Sequence, residues 1–505
     1  MKVVTGAEMR KLESKAFETL GLSPLVIMEN AGSRILETLR KEFGPLASKR
    51  IHILVGPGNN GGDGLVVARQ LLVTGARIKV YLVGYNQKSS KENRINLEIL
   101  ERLGIDFVKV NGGQLGKLRF SLGLADLIID AILGTGFSGS LDSELESLIR
   151  LVNETQCPVV AIDCPTGVNS TTGEVQSTAV EADLTINLGL LKLGCVLYPG
   201  QMYAERNVVV DLGFPLTAEG ISRELLGEHV LEWLPHRFPW SHKGTFGHSL
   251  VVAGSVSYAG AAYLCSQAVL RGGGGLTTVA VPEGIYERFP PDELIVVPVA
   301  QTESGAFGHA SLTKLLSLLE NKDVLAIGPG LGRDGETIKT VQNILESWDK
   351  PAVIDADGLI ALDQQFLEKI PQTRRKKWVI TPHPGEMARL VGGDAAAANA
   401  DRIGVASRFA QKWDLVVVLK GAPTIIASSD TTYINSTGNH GLATGGTGDV
   451  LTGLIASLLA QGLEPIKAAA VGVYAHGKAG DLAGAKGKRG LIASDCLQFL
   501  QEILH

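Results

Sequence analysis

Aromatic residues make up only 5% of this 505-residue chain, and its five cysteines (Cys157, Cys164, Cys195, Cys265, Cys496) are scattered, with no CxxC pair. That usage argues against a disulfide-stapled scaffold and a thiolate zinc site, and fits reduced thiols in a cytoplasmic protein. Positive charge is not in excess either: 47 Lys and Arg stand against 52 Asp and Glu, a net charge of -5, and no basic run is longer than Arg374-Arg375-Lys376-Lys377. A nucleic-acid partner is therefore not expected. Long apolar runs are missing too. The longest apolar helical candidate, residues 450–463, falls short of the ~20 residues that span a bilayer. The amino-terminal residues offer a capping box from Thr5 to Glu8 rather than the apolar core of a signal peptide.

Glycine, by contrast, is abundant at 61 residues, and 45% of the chain is hydrophobic with no three-residue glycine period, which excludes collagen-like and disordered chains. The length predicts two to three domains. Helical periodicity over residues 7–20 and 24–40, the second opened by Ser23-Pro24, gives way to strands at 51–55, 78–83, 107–110, 127–132, 159–162, 184–187 and 208–211. Helices fall between them near 65–73, 90–103 and 142–153. Such alternation predicts a parallel sheet covered on both faces, a Rossmann-like three-layer α/β domain over residues 1–215. From 216 to 240 the pattern stops and proline-containing segments follow, as in a connecting segment. A second α/β alternation then fills residues 241–505.

Gly56, Gly58 and Gly61 satisfy GxGxxG between a strand and a helix. A nicotinamide dehydrogenase also carries an acidic residue at the end of the following strand, and here that place reads Val83-Gly84-Tyr85-Asn86, so the fingerprint gives weak support to hydride transfer. Asp126 and Asp130, leading into Gly134-Thr135-Gly136-Phe137, and Asp163-Cys164-Pro165-Thr166-Gly167 fall in or near predicted strand ends, where open α/β sheets bind ligands. Asn60, Asp126 and Thr166 offer oxygens to a cation and Asp163 an acid or base, although each taken singly also fits a turn former.

In the second half, Gly445-Gly446-Thr447-Gly448-Asp449 precedes apolar residues at helical spacing, which puts Asp449 among the first residues of a helix whose free N–H groups attract phosphate. Lys420, at the end of a strand over 415–419, suits nucleotide phosphates. The glycines of 328–332 and 445–448 let anionic groups approach the backbone, and Asp449 can serve as base, so the set points to phosphoryl transfer. Asp355, Asp357 and His383, the last between two prolines, fit fixed turn or loop residues as well as ligands.

The motifs Gly58-Asn59-Asn60-Gly61-Gly62-Asp63-Gly64, Asp130-Ala131-Ile132-Leu133-Gly134-Thr135-Gly136 and Asp163-Cys164-Pro165-Thr166-Gly167 resemble the signature loops of NAD(P)H-hydrate epimerases. The resemblance implies that the first loop from Gly58 to Asp63, the second from Asp130 to Gly136, and Asp163 hold the damaged dinucleotide. It further implies potassium binding by Asn60, Asp126 and Thr166, with threonine where many members carry serine. From His242 to Gly453 the chain resembles ribokinase-like enzymes, most closely ADP-dependent NAD(P)H-hydrate dehydratases. The motifs are Tyr258-Ala259-Gly260-Ala261, Gly328-Pro329-Gly330-Leu331-Gly332, His383-Pro384-Gly385-Glu386, Lys420-Gly421-Ala422-Pro423-Thr424 and Gly446-Thr447-Gly448-Asp449. This second resemblance implies a hydrate site of Ala261, Gly330, His383 and Asp449, and adenine-nucleotide binding by Lys420 to Thr424 and Gly448, with Mg2+ accompanying ADP.

Together the halves resemble the bifunctional NAD(P)H-hydrate repair family. Such an enzyme interconverts the R and S hydrates of NADH and NADPH and dehydrates the S form at the expense of ADP, giving NAD(P)H, AMP and phosphate. Asp163 and Asp449 are the expected catalytic residues, in a homo-oligomer, tetramer or larger. The alternative is a ribokinase-like small-molecule kinase fused to a dinucleotide-binding regulatory domain.

Overall fold

A computed structural model of the chain describes residues 1–85, 89–110, 115–216, 218–290 and 292–505. It divides into two compact units, Met1–Ile221 and Ser222–His505. The first carries strands β1 (Val3–Val4), β2 (Arg50–Val55), β3 (Arg77–Leu82), β4 (Phe107–Lys109), β5 (Leu127–Ala131), β6 (Val159–Ile162), β7 (Leu184–Leu188), β8 (Leu191–Lys192) and β9 (Asn207–Val210). Seven of them form an all-parallel sheet of order β4-β3-β2-β5-β6-β7-β9, while β1 pairs with β8 apart from it. Neighbouring side chains on each strand point to opposite faces. Ile53, Val55 and Ile129 accordingly join a core with the helices Pro24–Phe43 and Asn59–Val73, whereas Leu54 and Ile128 pack on the other face with Leu118, Leu122, Leu148 and Ile149 from the helices Leu115–Leu122 and Ser143–Asn153. The outcome is the expected three-layer, Rossmann-like arrangement. Its strand order reverses between β2 and β5, so the loops that leave these two strands face each other across a crevice.

The second unit adds β10 (Arg223–Leu225), β11 (His248–Val252), β12 (Leu276–Pro282), β13 (Ile295–Val299), β14 (Val324–Ile327), β15 (Ala352–Ile354), β16 (Trp378–Ile380), β17 (Val416–Leu419), β18 (Thr424–Ala427) and β19 (Thr432–Asn435). They form one sheet in the order β10-β19-β18-β17-β16-β15-β14-β11-β12-β13, parallel except where β18 runs against β17 and β19. Here the order reverses between β14 and β11. Helices Ala259–Arg271, Thr447–Ala460, Pro465–Gly484 and Ala493–Ile503 supply Cys265, Leu454, Val471 and Leu500 to a core built on Val251, Val279, Ala326 and Val353. Residues 222–240, read from composition as part of a connecting segment, supply β10 to the edge of this sheet and Val230 to this core. Among the described residues no helix is long and apolar enough to cross a membrane.

Candidate active sites

In the first unit, residues 59–64 are not loop as the glycine-rich sequence suggests. They form the opening turns of the helix Asn59–Val73. Gly61 makes this possible, because a Cβ there would stand 1.8 Å from the carbonyl oxygen of Gly56, closer than any side chain allows. Asn93 fixes the turn from the next helix, donating Nδ2–H to the carbonyls of Gly56 at 3.0 Å and Gly58 at 2.9 Å. Asn60 and Asp63 are thereby held as buried helix residues facing the crevice. Of the place where a dehydrogenase carries its ribose-binding acid, Asn86 lies outside the described residues.

Three oxygen-bearing side chains meet at the carboxyl ends of β2, β5 and β6. Thr166 Oγ1 donates to Asp130 Oδ1 at 2.7 Å, and its backbone N–H donates to Asp130 Oδ2 at 2.8 Å. Asn60 donates to the carbonyl of Leu133 at 2.9 Å, while its Oδ1 is buried and, among the described residues, without a partner. Burial pushes the Asp130 carboxyl up to about 6, against the hydrogen bonds from Thr166 and Ile132. A buried carboxylate, a hydroxyl and an orphaned amide oxygen fit a hard cation.

Asp126 is not among them. It precedes β5, at the amino end of a strand whose carboxyl end forms the site, and it is held there by Arg50, Nη2 to Oδ1 at 2.8 Å. Hydrogen bonds from the Arg50 side chain and backbone pull its carboxyl well below the usual range. Asp126 is thus set apart from Asn60 and Thr166, and Asp130 is the carboxylate that meets Thr166 at the carboxyl rim.

Asp163 follows β6 with φ of 68°, a left-handed conformation uncommon for a residue with a Cβ and frequent at functional positions. Its carboxylate accepts the N–H of Leu188 at 3.2 Å and pairs with Lys192, a lysine only 1% exposed, whose ammonium also donates to the carbonyl of Leu188. Lys192 was not singled out from the sequence. Its one signal is that it is a single charge in the apolar stretch 184–197.

In the second unit, Gly446 takes φ of 93° as N-cap of the helix Thr447–Ala460, which puts Asp449 in the first turn as expected. Asp355, 1% exposed after β15, binds Lys420 Nζ at 2.6 Å and accepts the Thr452 hydroxyl at 2.7 Å, Thr452 lying one turn beyond Asp449. Lys420 also sits against the helix start, since a Cβ on Gly448 would stand 3.4 Å from its Nζ. Burial opposes the charge of Lys420, but Asp355 and Glu386 outweigh it and hold its pKa above the ordinary value. Burial first, then Asp355, raise Asp449 to about 7, with Lys420 opposing and Asp357 adding to the rise.

The remaining expected residues make contacts of their own. Gly330 packs on Ala261, where a Cβ on the glycine would come within 2.9 Å of the alanine's. Gly332 donates its N–H to Asp357 at 3.1 Å, and Arg333 Nε binds the same carboxylate at 3.0 Å. His383 caps the helix Pro384–Val391, its Nδ1 accepting from Gly385 at 3.0 Å, and the preceding Pro382 carbonyl accepts the backbone N–H of Lys420 at 2.9 Å. Arg402, unremarked in the sequence, clasps the loop Lys420 to Thr424 by donating to the carbonyls of Leu419 at 3.1 Å, Lys420 at 2.9 Å and Pro423 at 3.2 Å.

Each unit thus gathers acid, base and oxygen-bearing groups at the carboxyl rim of its α/β sheet, the part of such a sheet where ligands bind. Residues 249–502 match the family model described as NAD(P)H-hydrate dehydratase, and residues 24–194 the one described as YjeF-related protein N-terminus. The bifunctional NAD(P)H-hydrate repair enzyme of Moorella thermoacetica is 41% identical over 100% of this chain and 97% of its own length. That of Thermofilum pendens is 37% identical over 100% and 96%. The solved ADP/ATP-dependent NAD(P)H-hydrate dehydratase of Bacillus subtilis is 31% identical, covers 55% of this chain and 96% of its own, and superposes with a TM-score of 0.48. The chain belongs to the family of bifunctional NAD(P)H-hydrate repair enzymes.

Proposed function

We propose that the first unit interconverts the R and S hydrates of NADH and NADPH and that the second dehydrates the S form with ADP. The reading rests above all on Asp449, a half-buried carboxyl raised to about 7 in the first turn of a phosphate-attracting helix and beside the Asp355–Lys420 pair. Asp449 takes the proton from the C6 hydroxyl of the hydrate while that oxygen attacks the β-phosphorus of ADP and AMP leaves. Hydroxide is a poor leaving group, whereas phosphate is a good one. The ring nitrogen's lone pair then expels phosphate, and loss of a C5 proton restores the reduced nicotinamide. Lys420, with Gly421, Ala422, Pro423, Thr424 and Gly448, holds the nucleotide, and Ala261, Gly330 and His383 hold the hydrate. Among the described residues no cluster of three or more His, Cys, Asp or Glu side chains builds a metal site. Mg2+ would accompany ADP as the counter-ion of its phosphates.

In the first unit, the helix start from Gly58 to Asp63 and the loop from Asp130 to Gly136 hold the dinucleotide, with Asp163 handling a proton. Asn60, Asp130 and Thr166 would hold potassium, which neutralises charge and fixes the loops around the ligand. Asp130→Asn is expected to raise the potassium concentration needed for epimerisation about 10- to 100-fold, with Asp126→Asn unchanged. Titration of activity with KCl decides, and the opposite ranking would restore Asp126 to the site. A cytoplasmic location and assembly into a homo-oligomer complete the proposal.

Incubating the full chain with a mixture of both hydrate epimers and ADP, and following the reduced-nicotinamide absorbance, tests the pair of activities. Full recovery is expected. Recovery that stops near the starting share of one epimer leaves a dehydratase alone, and a stable phosphate ester in place of free phosphate favours the kinase reading.

A further inference from the structure

Glu13 stands on the helix Gly6–Leu20, which is tied by Arg10 to the loop that carries Thr135. Three contacts fix that helix. β1, just ahead of it, pairs with β8 so that Val4 lies opposite Lys192. Arg10 Nη1 donates to the carbonyl of Thr135, in the dinucleotide loop, at 3.0 Å. Met9 abuts Gly189, where a Cβ would stand 2.5 Å from Met9 Cε, and Gly189 follows Leu188, the residue whose N–H and C=O engage Asp163 and Lys192. Glu13 lies three residues beyond Arg10 and four beyond Met9, hence on the same helix face one turn further on.

The charges acting on Glu13 are those of Asp163 after β6, Lys192 in β8 and Arg10 on its own helix, while Asp63 of the helix Asn59–Val73 in turn feels Glu13. Among the described residues no hydrogen bond or ion pair holds the Glu13 carboxyl. Asp63 is enclosed, whereas Glu13 is only half-buried.

We propose that Glu13 is the general acid of the epimerase, acting opposite Asp163. This deepens the epimerase reading above and depends on it. Asp163 takes the proton of the C6 hydroxyl, the N1–C6 bond breaks as C6 becomes an aldehyde carbonyl, and Glu13 gives its proton to N1. Rotation about C5–C6 turns the carbonyl. N1 then attacks the other face, its proton returns to Glu13, and Asp163 reprotonates the oxygen. Every atom is conserved and nothing is oxidised or reduced. The two carboxyl groups differ as such a division of labour requires: Asp163 is ion-paired with Lys192, while burial, then Asp163, push Glu13 up to about 7 against Lys192 and Arg10. Glu13 is therefore protonated below that pH, and its acid role is lost as the pH rises through it.

The test uses the full chain with purified R hydrate and saturating ADP, and S hydrate turnover by the same preparation as internal control. Glu13→Gln is expected to lower kcat for R hydrate about 100-fold while S hydrate turnover stays at the parent level, and the parent's fall in R hydrate kcat through about pH 7 should vanish. Glu13→Asp should recover part of the rate together with that fall. A Glu13→Gln rate within about twofold of the parent, or a lower rate that keeps the alkaline fall, would overturn the proposal. If Asp163→Asn is also fully active, the epimerase reading itself fails; if Asp163→Asn is inactive and Glu13→Gln is not, only the role of Glu13 falls.

Discussion

Asp449→Asn is expected to bind ADP as the parent protein does and to lose dehydration turnover by about two to four powers of ten, the range general-base catalysis supplies. The substitution keeps size and hydrogen-bonding capacity and removes the site that accepts the hydroxyl proton. Nucleotide affinity should survive because the phosphate contacts proposed above are made by helix N–H groups and Lys420. A carboxyl raised to about 7 is protonated below that pH, so kcat/KM for dehydration should climb as pH rises through it. Asp355→Asn should move the climb to lower pH, since the Asp355 charge is the leading electrostatic cause of the rise after burial. Near-normal turnover by Asp449→Asn would remove Asp449 from the base role, whatever the pH profile.

Lys420→Met is the second substitution expected to act strongly, and it acts twice. It strands the Asp355 carboxylate, 1% exposed, with the Thr452 hydroxyl at 2.7 Å but no cation. Breaking a buried pair from one side costs about 3 kcal/mol or more, which in a unit of this size lowers the melting temperature by about 6–12 °C. It also removes the ammonium beside Gly448, so ADP should no longer raise the melting temperature. Adding Asp355→Leu should recover much of the thermal stability and none of the ADP response, separating the two effects. A Lys420→Met protein that melts with the parent and still responds to ADP would show that the pair matters to neither.

Most of both sheets was legible because strands of β-branched residues alternate with helical periodicity, a pattern that survives without tertiary context, although β13, β18 and β19 were not singled out. The short strands β1, β8 and β10 were not, since runs of two or three residues carry no period; β1 and β10 are fixed by partners 188 and 209 residues away in sequence, β1 at Leu191 and β10 at Thr432. The candidate site residues divide in the same way. Asp449, Lys420 and Asp163 sit in glycine-rich or proline-containing turns that announce themselves. Lys192, Glu13, Asn93 and Arg402 act from strands and helices where their neighbours look ordinary, and only folding brings them to the rim. Glu13 in particular reads as one more solvated charge among Lys11, Glu13, Lys15 and Glu18. Asp126 was the opposite error. An aspartate at either end of an apolar run makes the same local pattern, and only the strand direction tells the ligand-bearing rim from the other.

The phosphorylation step is tested most directly by S hydrate carrying 18O in its C6 hydroxyl, turned over with unlabelled ADP in unlabelled water by the Asp163→Asn protein, so that ring opening by the first unit does not exchange the label. If the hydroxyl oxygen attacks the β-phosphorus before the C6–O bond breaks, the label appears in the released inorganic phosphate. Label in the solvent, with unlabelled phosphate, would mean that water attacks ADP and the hydroxyl leaves by itself, and the role assigned to Asp449 would have to be abandoned.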